Sequence, residues 1–208
     1  MKHLLLFLGI ILLVAGCSRP SHPVHEPQKR LMLDGASALP PRGGQWEYTT
    51  YDVRGIVFLK DNTKEEQIVT CIIGLDKLPV TDFDSEYAFL DSIKKEHLWE
   101  EYRSGKKFII NEFKLTREKN TLCVRQHNVY RSKTSGMFSG TQNYLTETFA
   151  LTCKHPDKNN VFNLGVIAVC TQQSKPKDFI EDFNSEAEYF FENTAFEPLD
   201  VEYLKSPD

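Results

Sequence analysis

Apolar and polar positions divide the chain into segments of different period. Leu4 to Ala15 is apolar apart from Gly9. That run falls short of the ~20 helical residues needed to cross a hydrocarbon core. Residues 18–44 carry no period. They hold "SRPSHPVHEPQKR" and "ALPPRGG", whose prolines favour extended backbone and lack amide donors. "LMLDGA" between them is the only apolar stretch that could dock on a domain. From Trp46 the pattern turns to strand. "WEYTTYDVRGIVFLK" predicts one strand bent near Gly55, or two short ones; "QIVTCIIGL", almost wholly apolar, predicts a central strand. Asp82 to Arg103 then changes period. Phe89, Ile93, Leu98 and Tyr102 share one helical face opposite charged residues. Asp84 or Ser85 is placed to cap this helix, and Gly105 to end it.

Two hairpins follow. With "REKN" (117–120) as the turn, Leu115 faces Leu122 and Phe113 faces Val124. On the other face Glu112 meets Arg125, and Lys114 meets Cys123. With "DKNN" (157–160) as the turn, Cys153 faces Leu164, Leu151 faces Val166 and Phe149 faces Ala168. Gly165, Ile167 and Val169 make the second face of that last strand apolar too, which predicts cover on both sides. A second helix starts from a capping box, Ser185 with Glu188, and presents Tyr189, Phe190 and Phe191. Phe179 and Phe183 lead into it. "TAFEPLDVEYL" suits an edge strand, since Pro198 argues against a central one. This order predicts a single α+β domain over residues 45–208, a mostly antiparallel sheet of about six strands with two helices. A lipocalin-like barrel competes, and the long mid-chain helix counts against it.

The short apolar run ends in Val14-Ala15-Gly16-Cys17, after a basic start at Lys2. This resembles the lipobox of bacterial lipoproteins: an aliphatic residue, two small ones, then cysteine. The resemblance implies a signal peptide over 1–16, cleavage before Cys17, and a diacylglycerol thioether on Cys17. The new amine would then be acylated, palmitate being an expected chain. Residues 17–44 become the lipidated cysteine and a Pro-rich tether. Two or more acyl chains hold a protein firmly at a membrane where one does not. Ser18 is not the Asp that retains many such proteins at the inner membrane, so the expected address is the outer membrane, facing the periplasm. The element order is also similar to that of PsbP-like domains, in which an antiparallel sheet carries helices on its faces.

Charge and cysteine content refine this picture. The 208 residues carry 25 Lys+Arg and 29 Asp+Glu, a net −4. Removal of the segment holding Lys2 makes it −5. That mild, mixed charge offers no basic footprint for nucleic acid. With Cys17 lipidated, Cys71, Cys123, Cys153 and Cys170 remain as candidate disulfide partners, and there are three ways to pair them. The alternative is buried free thiols. In the predicted register Cys170 faces Glu147, six positions from Cys153, or ~20 Å at ~3.4 Å per residue. A disulfide needs Cα atoms within ~7 Å, so Cys153–Cys170 is disfavoured.

Candidate chemistry is sparse. The sequence has no G-x-S-x-G, no H-E-x-x-H, no Gly-rich phosphate loop and no C-x-x-C. His22 and His25 lie in the tether with no Cys or Asp partner, so no metal site is expected. Cys153 with His155 is an i,i+2 pair at a strand end, which does not make a catalytic dyad by itself. His127 lies on the mixed face near Arg125 and Ile110, and His97 sits on the helix beside charged residues. Glu96, Glu100 and Glu101 with Lys94 and Lys95 read as a solvated helix face. "SGMFSG" (135–140) reads as a hairpin tip or contact loop. Trp46, Tyr48 and Tyr51 are candidates to line a cleft. No catalytic residue, cofactor or metal is assigned. The expectation is a lipid-anchored envelope protein, non-catalytic, that binds or supports an envelope partner. The alternative is a small-ligand or lipid carrier with a pocket between sheet and helix.

Overall fold

A computed structural model of the chain describes residues 21–51, 55–62, 67–79, 85–104, 107–136, 140–157, 160, 163–174 and 182–200. The expected signal segment, Cys17, Gly105, Phe179 and the tip at 137–139 lie outside them, as does Asp84. Among the described residues, eleven strands and two helices are formed: β1 (His22–Pro23), β2 (Leu31–Met32), β3 (Ala36–Ala38), β4 (Glu47–Tyr51), β5 (Gly55–Asn62), β6 (Gln67–Lys77), α1 (Glu86–Ser104), β7 (Lys107–Glu118), β8 (Thr121–Gly136), β9 (Gly140–Lys154), β10 (Leu164–Ser174), α2 (Phe183–Glu192) and β11 (Thr194–Phe196). Eight strands make one sheet in the order β1-β4-β5-β6-β10-β9-β8-β7. Every pairing in it is antiparallel. A second sheet, β11-β3-β2, is small.

The class is thus α+β with an antiparallel sheet, but the strand number exceeds the expected six. "WEYTTYDVRGIVFLK" contains two antiparallel strands, with Tyr51 opposite Gly55. The Pro-rich stretch adds β1, where His22 pairs with Tyr48. It also supplies β2 and β3. Arg30 donates to the Asn193 carbonyl at 2.8 Å, just past the end of α2. The Ser37 hydroxyl donates to Glu197 at 2.5 Å. Ala36, Ser37 and Ala38 are fully buried. Much of the span expected to be a spacer is therefore packed against the domain.

Each sheet face has its own core. α2 and the small sheet cover one face, where Phe58, Phe190, Phe191, Ile73 and all four described cysteines are buried. α1 covers the β7–β8 end of the other, with Phe89, Leu90 and Val124. Ser85 Oγ accepts the Ala88 amide at 3.2 Å and so caps α1. The capping box expected at α2 is not formed. The helix begins two residues before Ser185, Asp182 occupies the cap position, and Glu188 turns to Arg125 instead.

Both hairpin registers differ from the expected ones by two residues. Lys119 and Asn120, at φ 49° and 64°, make a two-residue turn. Leu115 therefore faces Val124, Glu112 faces His127 and Lys114 faces Arg125. In the second hairpin Cys153 faces Val166, Leu151 faces Ala168 and Phe149 faces Cys170. There Asn160 bonds both backbone groups of Leu164, at 2.7 Å and 2.9 Å, which closes a local turn on the far arm. β10 lies inside the sheet, but its second face, at Ile167 and Val169, is only half-buried.

The cysteines pair as Cys71–Cys170, joining β6 to β10, and Cys123–Cys153, joining β8 to β9. Each pair sits directly opposite in register, with Cα atoms 4.2 Å and 4.0 Å apart.

Candidate functional site

An open groove of about 440 Å³ lies where α2 crosses β7, β8 and β9. Strand alternation puts Glu112 and Lys114 of β7, Arg125 and His127 of β8, and Phe149 of β9 on this face. Asn184, Glu188 and Phe191 of α2 form the opposite wall.

Two charge networks shape it. Arg125 donates to Glu118 and to Glu188. Burial pulls the Arg125 guanidinium toward losing its proton, and these two carboxylates outweigh that and hold it charged. Arg125 thus ties the end of the β7–β8 hairpin to α2. The second network starts at His127, whose Nε2 donates to Glu147 Oε1 at 2.9 Å. Gln172, fully buried, donates to the other oxygen of Glu147 at 2.6 Å. The His127 ring stacks on Phe149, with centroids 4.3 Å apart and planes 6° apart. Phe149 in turn packs on Phe183 at the start of α2. The imidazole is therefore fixed by a carboxylate on one edge and a ring on one face.

A histidine oriented by a carboxylate resembles half of an acyl-transfer site. Among the described residues, the groove lining holds no hydroxyl or thiol to complete it. Among the described residues, no group of three His, Cys, Asp or Glu is placed to hold a metal. Beside the groove, a space lined by Glu118, Leu151, Val166 and Phe191 amounts to about 10 Å³. That is the scale of a single water and leaves no room for an acyl chain.

The remaining sequence candidates are structural. Cys153 is in a disulfide, so it forms no dyad with His155. His155 is buried and its Nε2 reaches the carbonyls of Gly35 (2.8 Å) and Glu197 (3.1 Å), while Nδ1 accepts the Asp157 amide. It locks the amino-terminal strands, the β9–β10 turn and the last segment together. His97 packs between Phe108 and Phe113, with Nδ1 2.9 Å from Gln126 Nε2. Trp46 is buried and donates to the Arg42 carbonyl, and Tyr48 packs on Phe58. His22 packs on Tyr48, while His25 is exposed. Gln172 was not singled out by the sequence; Glu147 figured there only as the residue opposite Cys170, and Glu188 only as half of a capping box. The alternation that puts Glu147 on the face of Phe149 was the available signal.

Fold and groove define an α+β domain with an antiparallel sheet and a charged cleft under its second helix. No family model matches the chain, and no curated protein matches it. Among solved structures it is similar to the solution structure of cyanobacterial PsbP (CyanoP) from Synechocystis sp. PCC 6803, with a TM-score of 0.41 and 11% identity, over 81% of this chain and 92% of that one. No helix among the described residues is long and apolar enough to cross a membrane.

Proposed function

We propose that this chain is a lipid-anchored protein of the bacterial envelope, held by Cys17 and facing the periplasm from the outer membrane. Its groove binds another envelope protein, and the role is assembly or support rather than catalysis. The observation that carries the binding role is the groove itself. It is open, its floor is a fixed His127–Phe149 stack, and its walls carry Glu112, Lys114 and Glu188. A rigid aromatic floor with charged walls suits a protein segment better than a lipid tail. Two supports bear on location. Val14-Ala15-Gly16-Cys17 has the lipobox pattern. Two disulfides within the sheet fit an oxidising compartment.

The test uses the full chain in its own cells. A photo-crosslinking residue replaces Asn184, which is exposed on the groove wall. The expected result is an adduct with one other envelope protein that disappears on His127→Ala. Failure to form any adduct, or adducts indifferent to His127→Ala, would overturn the binding role. Cys17→Ser should move the protein from the membrane to the soluble fraction. Retention at the membrane would overturn the anchor.

A further inference from the structure

Among the described residues the large sheet ends on β7, which has a strand neighbour on one side only. This edge is 12 residues long. Its backbone polarity follows from the hairpin. Glu118 and Thr121 flank the two-residue turn, so they form a hydrogen-bonded pair. Thr116, Lys114 and Glu112 repeat that state and turn their amides toward β8. Asn111, Phe113, Leu115 and Arg117 therefore direct their amides and carbonyls away from the sheet, where they can take another strand.

We propose that two copies of this chain pair their β7 edges antiparallel, about a two-fold axis at Phe113, into one continuous sheet. The charge pattern selects both the partner and the register. A two-fold pairing keeps each sheet face on its own side, so some residue must face itself. An axis at Glu112 sets Glu against Glu. An axis at Lys114 sets Lys against Lys. An axis at Leu115 sets Glu112 against the partner's Glu118. An axis at Thr116 sets Lys114 against the partner's Glu118, but β7 ends at Glu118, so only five residues would pair, and Glu118 is already held by Arg125. The axis at Phe113 sets Glu112 against the partner's Lys114, and by symmetry the reverse pair as well. It also brings together Phe113 with the partner's Phe113 and Asn111 with the partner's Leu115, all with outward-facing amides. Glu112 and Lys114 then form a non-hydrogen-bonded pair, where side chains approach most closely, with Cα atoms ~4.5 Å apart.

Two features of the edge fit this register. Lysine on an edge strand ordinarily deters pairing, but here Lys114 finds a carboxylate opposite. The register shift between Phe108 and Ile110 interrupts the regular outward row of backbone groups, though pairing to β8 runs on to Lys107, and so leaves Ile110 to Thr116 to pair with the partner. Glu112 and Lys114 are both exposed and lie on the groove side, so the two grooves would open side by side on one face. This pairing needs no other protein. Although it draws on Glu112 and Lys114 of the groove wall, it is read by self-association of the purified chain alone, so its failure is distinguishable from failure of the groove-binding reading.

The test is sedimentation equilibrium on the purified full chain in detergent. A reversible dimer is expected. Lys114→Glu replaces two attractive pairs by two repulsive ones and should raise the dimer dissociation constant at least ~10-fold. The double reversal, Glu112→Lys with Lys114→Glu, recreates both pairs and should restore dimerisation. A chain that stays monomeric at every concentration overturns the proposal. So does a dimer indifferent to Lys114→Glu, or one that the double reversal fails to restore. Register is read separately with the Glu112→Cys, Lys114→Cys double variant. It should give a disulfide-linked dimer on non-reducing electrophoresis, and the absence of that band overturns the axis at Phe113.

Discussion

Loss of the Cys71–Cys170 bond is expected to destabilise the domain more than loss of Cys123–Cys153. The two bonds are nested: the first spans 99 residues and the second, inside it, spans 30. In the chain-entropy description a disulfide acts by restricting the unfolded chain, with a penalty that grows as the logarithm of loop length. That gives ~4.7 kcal/mol for the outer bond and ~3.6 kcal/mol for the inner one at 25 °C. With the inner bond intact the outer loop shortens to about 70 residues, and its value falls to ~4.4 kcal/mol. On the same footing the inner bond, with the outer one intact, is worth ~3.3 kcal/mol, so the difference is ~1.1 kcal/mol. Truncation adds little to that difference. All four cysteines are buried in one cluster, so each pair of alanines removes two sulfurs from similar surroundings. The assay is urea unfolding of Cys71→Ala with Cys170→Ala against Cys123→Ala with Cys153→Ala. The outer-pair variant should also show the larger rise in denaturant dependence, because its unfolded chain is freer to expand. If the inner pair proves the more stabilising, or either pair contributes less than ~1 kcal/mol, loop entropy is not what these bonds supply.

Three further outcomes follow from single side chains. Burial raises the Glu186 carboxyl above its ordinary range, against the pull of Lys60. The folded state therefore holds that proton more tightly, and stability falls as pH rises from the ordinary carboxylate range through the raised value. Glu186→Gln should accordingly stabilise the domain at neutral pH and flatten the acid side of its melting-temperature profile. A β-carbon at Gly165 would lie 2.6 Å from Leu78 Cδ2 and 2.9 Å from the Cys153 carbonyl oxygen. Leu78 can shift, but the ladder carbonyl cannot, so Gly165→Ala should lose ~1–3 kcal/mol in urea unfolding. Arg125→Ala removes both carboxylate contacts and should destabilise by ~1–2 kcal/mol. Arg125→Lys should recover only part, because an ammonium cannot fork between Glu118 and Glu188.

Much of the fold was readable from local pattern, and its errors have a common form. Both hairpins were displaced by two residues, an even number. Faces were therefore assigned correctly while opposite neighbours were not: Phe113 and Leu115 do share a face with Val124, but Phe113 stands across from Gln126. Composition placed the turn at "REKN", whereas the backbone turns on Lys119 and Asn120 alone, two residues that both take positive φ. The Pro-rich stretch was harder still. Prolines at 20, 23 and 27 suppress helix but do not forbid an edge strand, and β1 is just such an edge, with Pro23 opposite Glu47. The preference of Ser185 and Glu188 for a capping box lost to a tertiary contact, because Arg125 offers Glu188 a full charge where the cap offers one amide.

The groove was nearly invisible for a related reason. Its defining contacts join residues far apart in sequence: Arg125 to Glu188 across 63 positions, Glu147 to Gln172 across 25, and His127 to Glu147 across 20. In the sequence Arg125 was matched to Glu112 and Glu188 to Ser185, and His127 looked like one polar residue on a mixed face with no partner assigned. Its partner is not its neighbour on β7 but a carboxylate two places before Phe149, the residue opposite it on β9. That diagonal reach exists only once the β8–β9 register is set. The Cys123–Cys153 bond pins this register, since it fixes Cys123 opposite Cys153 and hence His127 opposite Phe149. A slip of two residues in either direction would set Glu147 or Leu151 opposite the imidazole in place of Phe149 and break the stack. The inner disulfide thus does more than restrain the unfolded chain: through the strand register it sets the geometry of the groove floor.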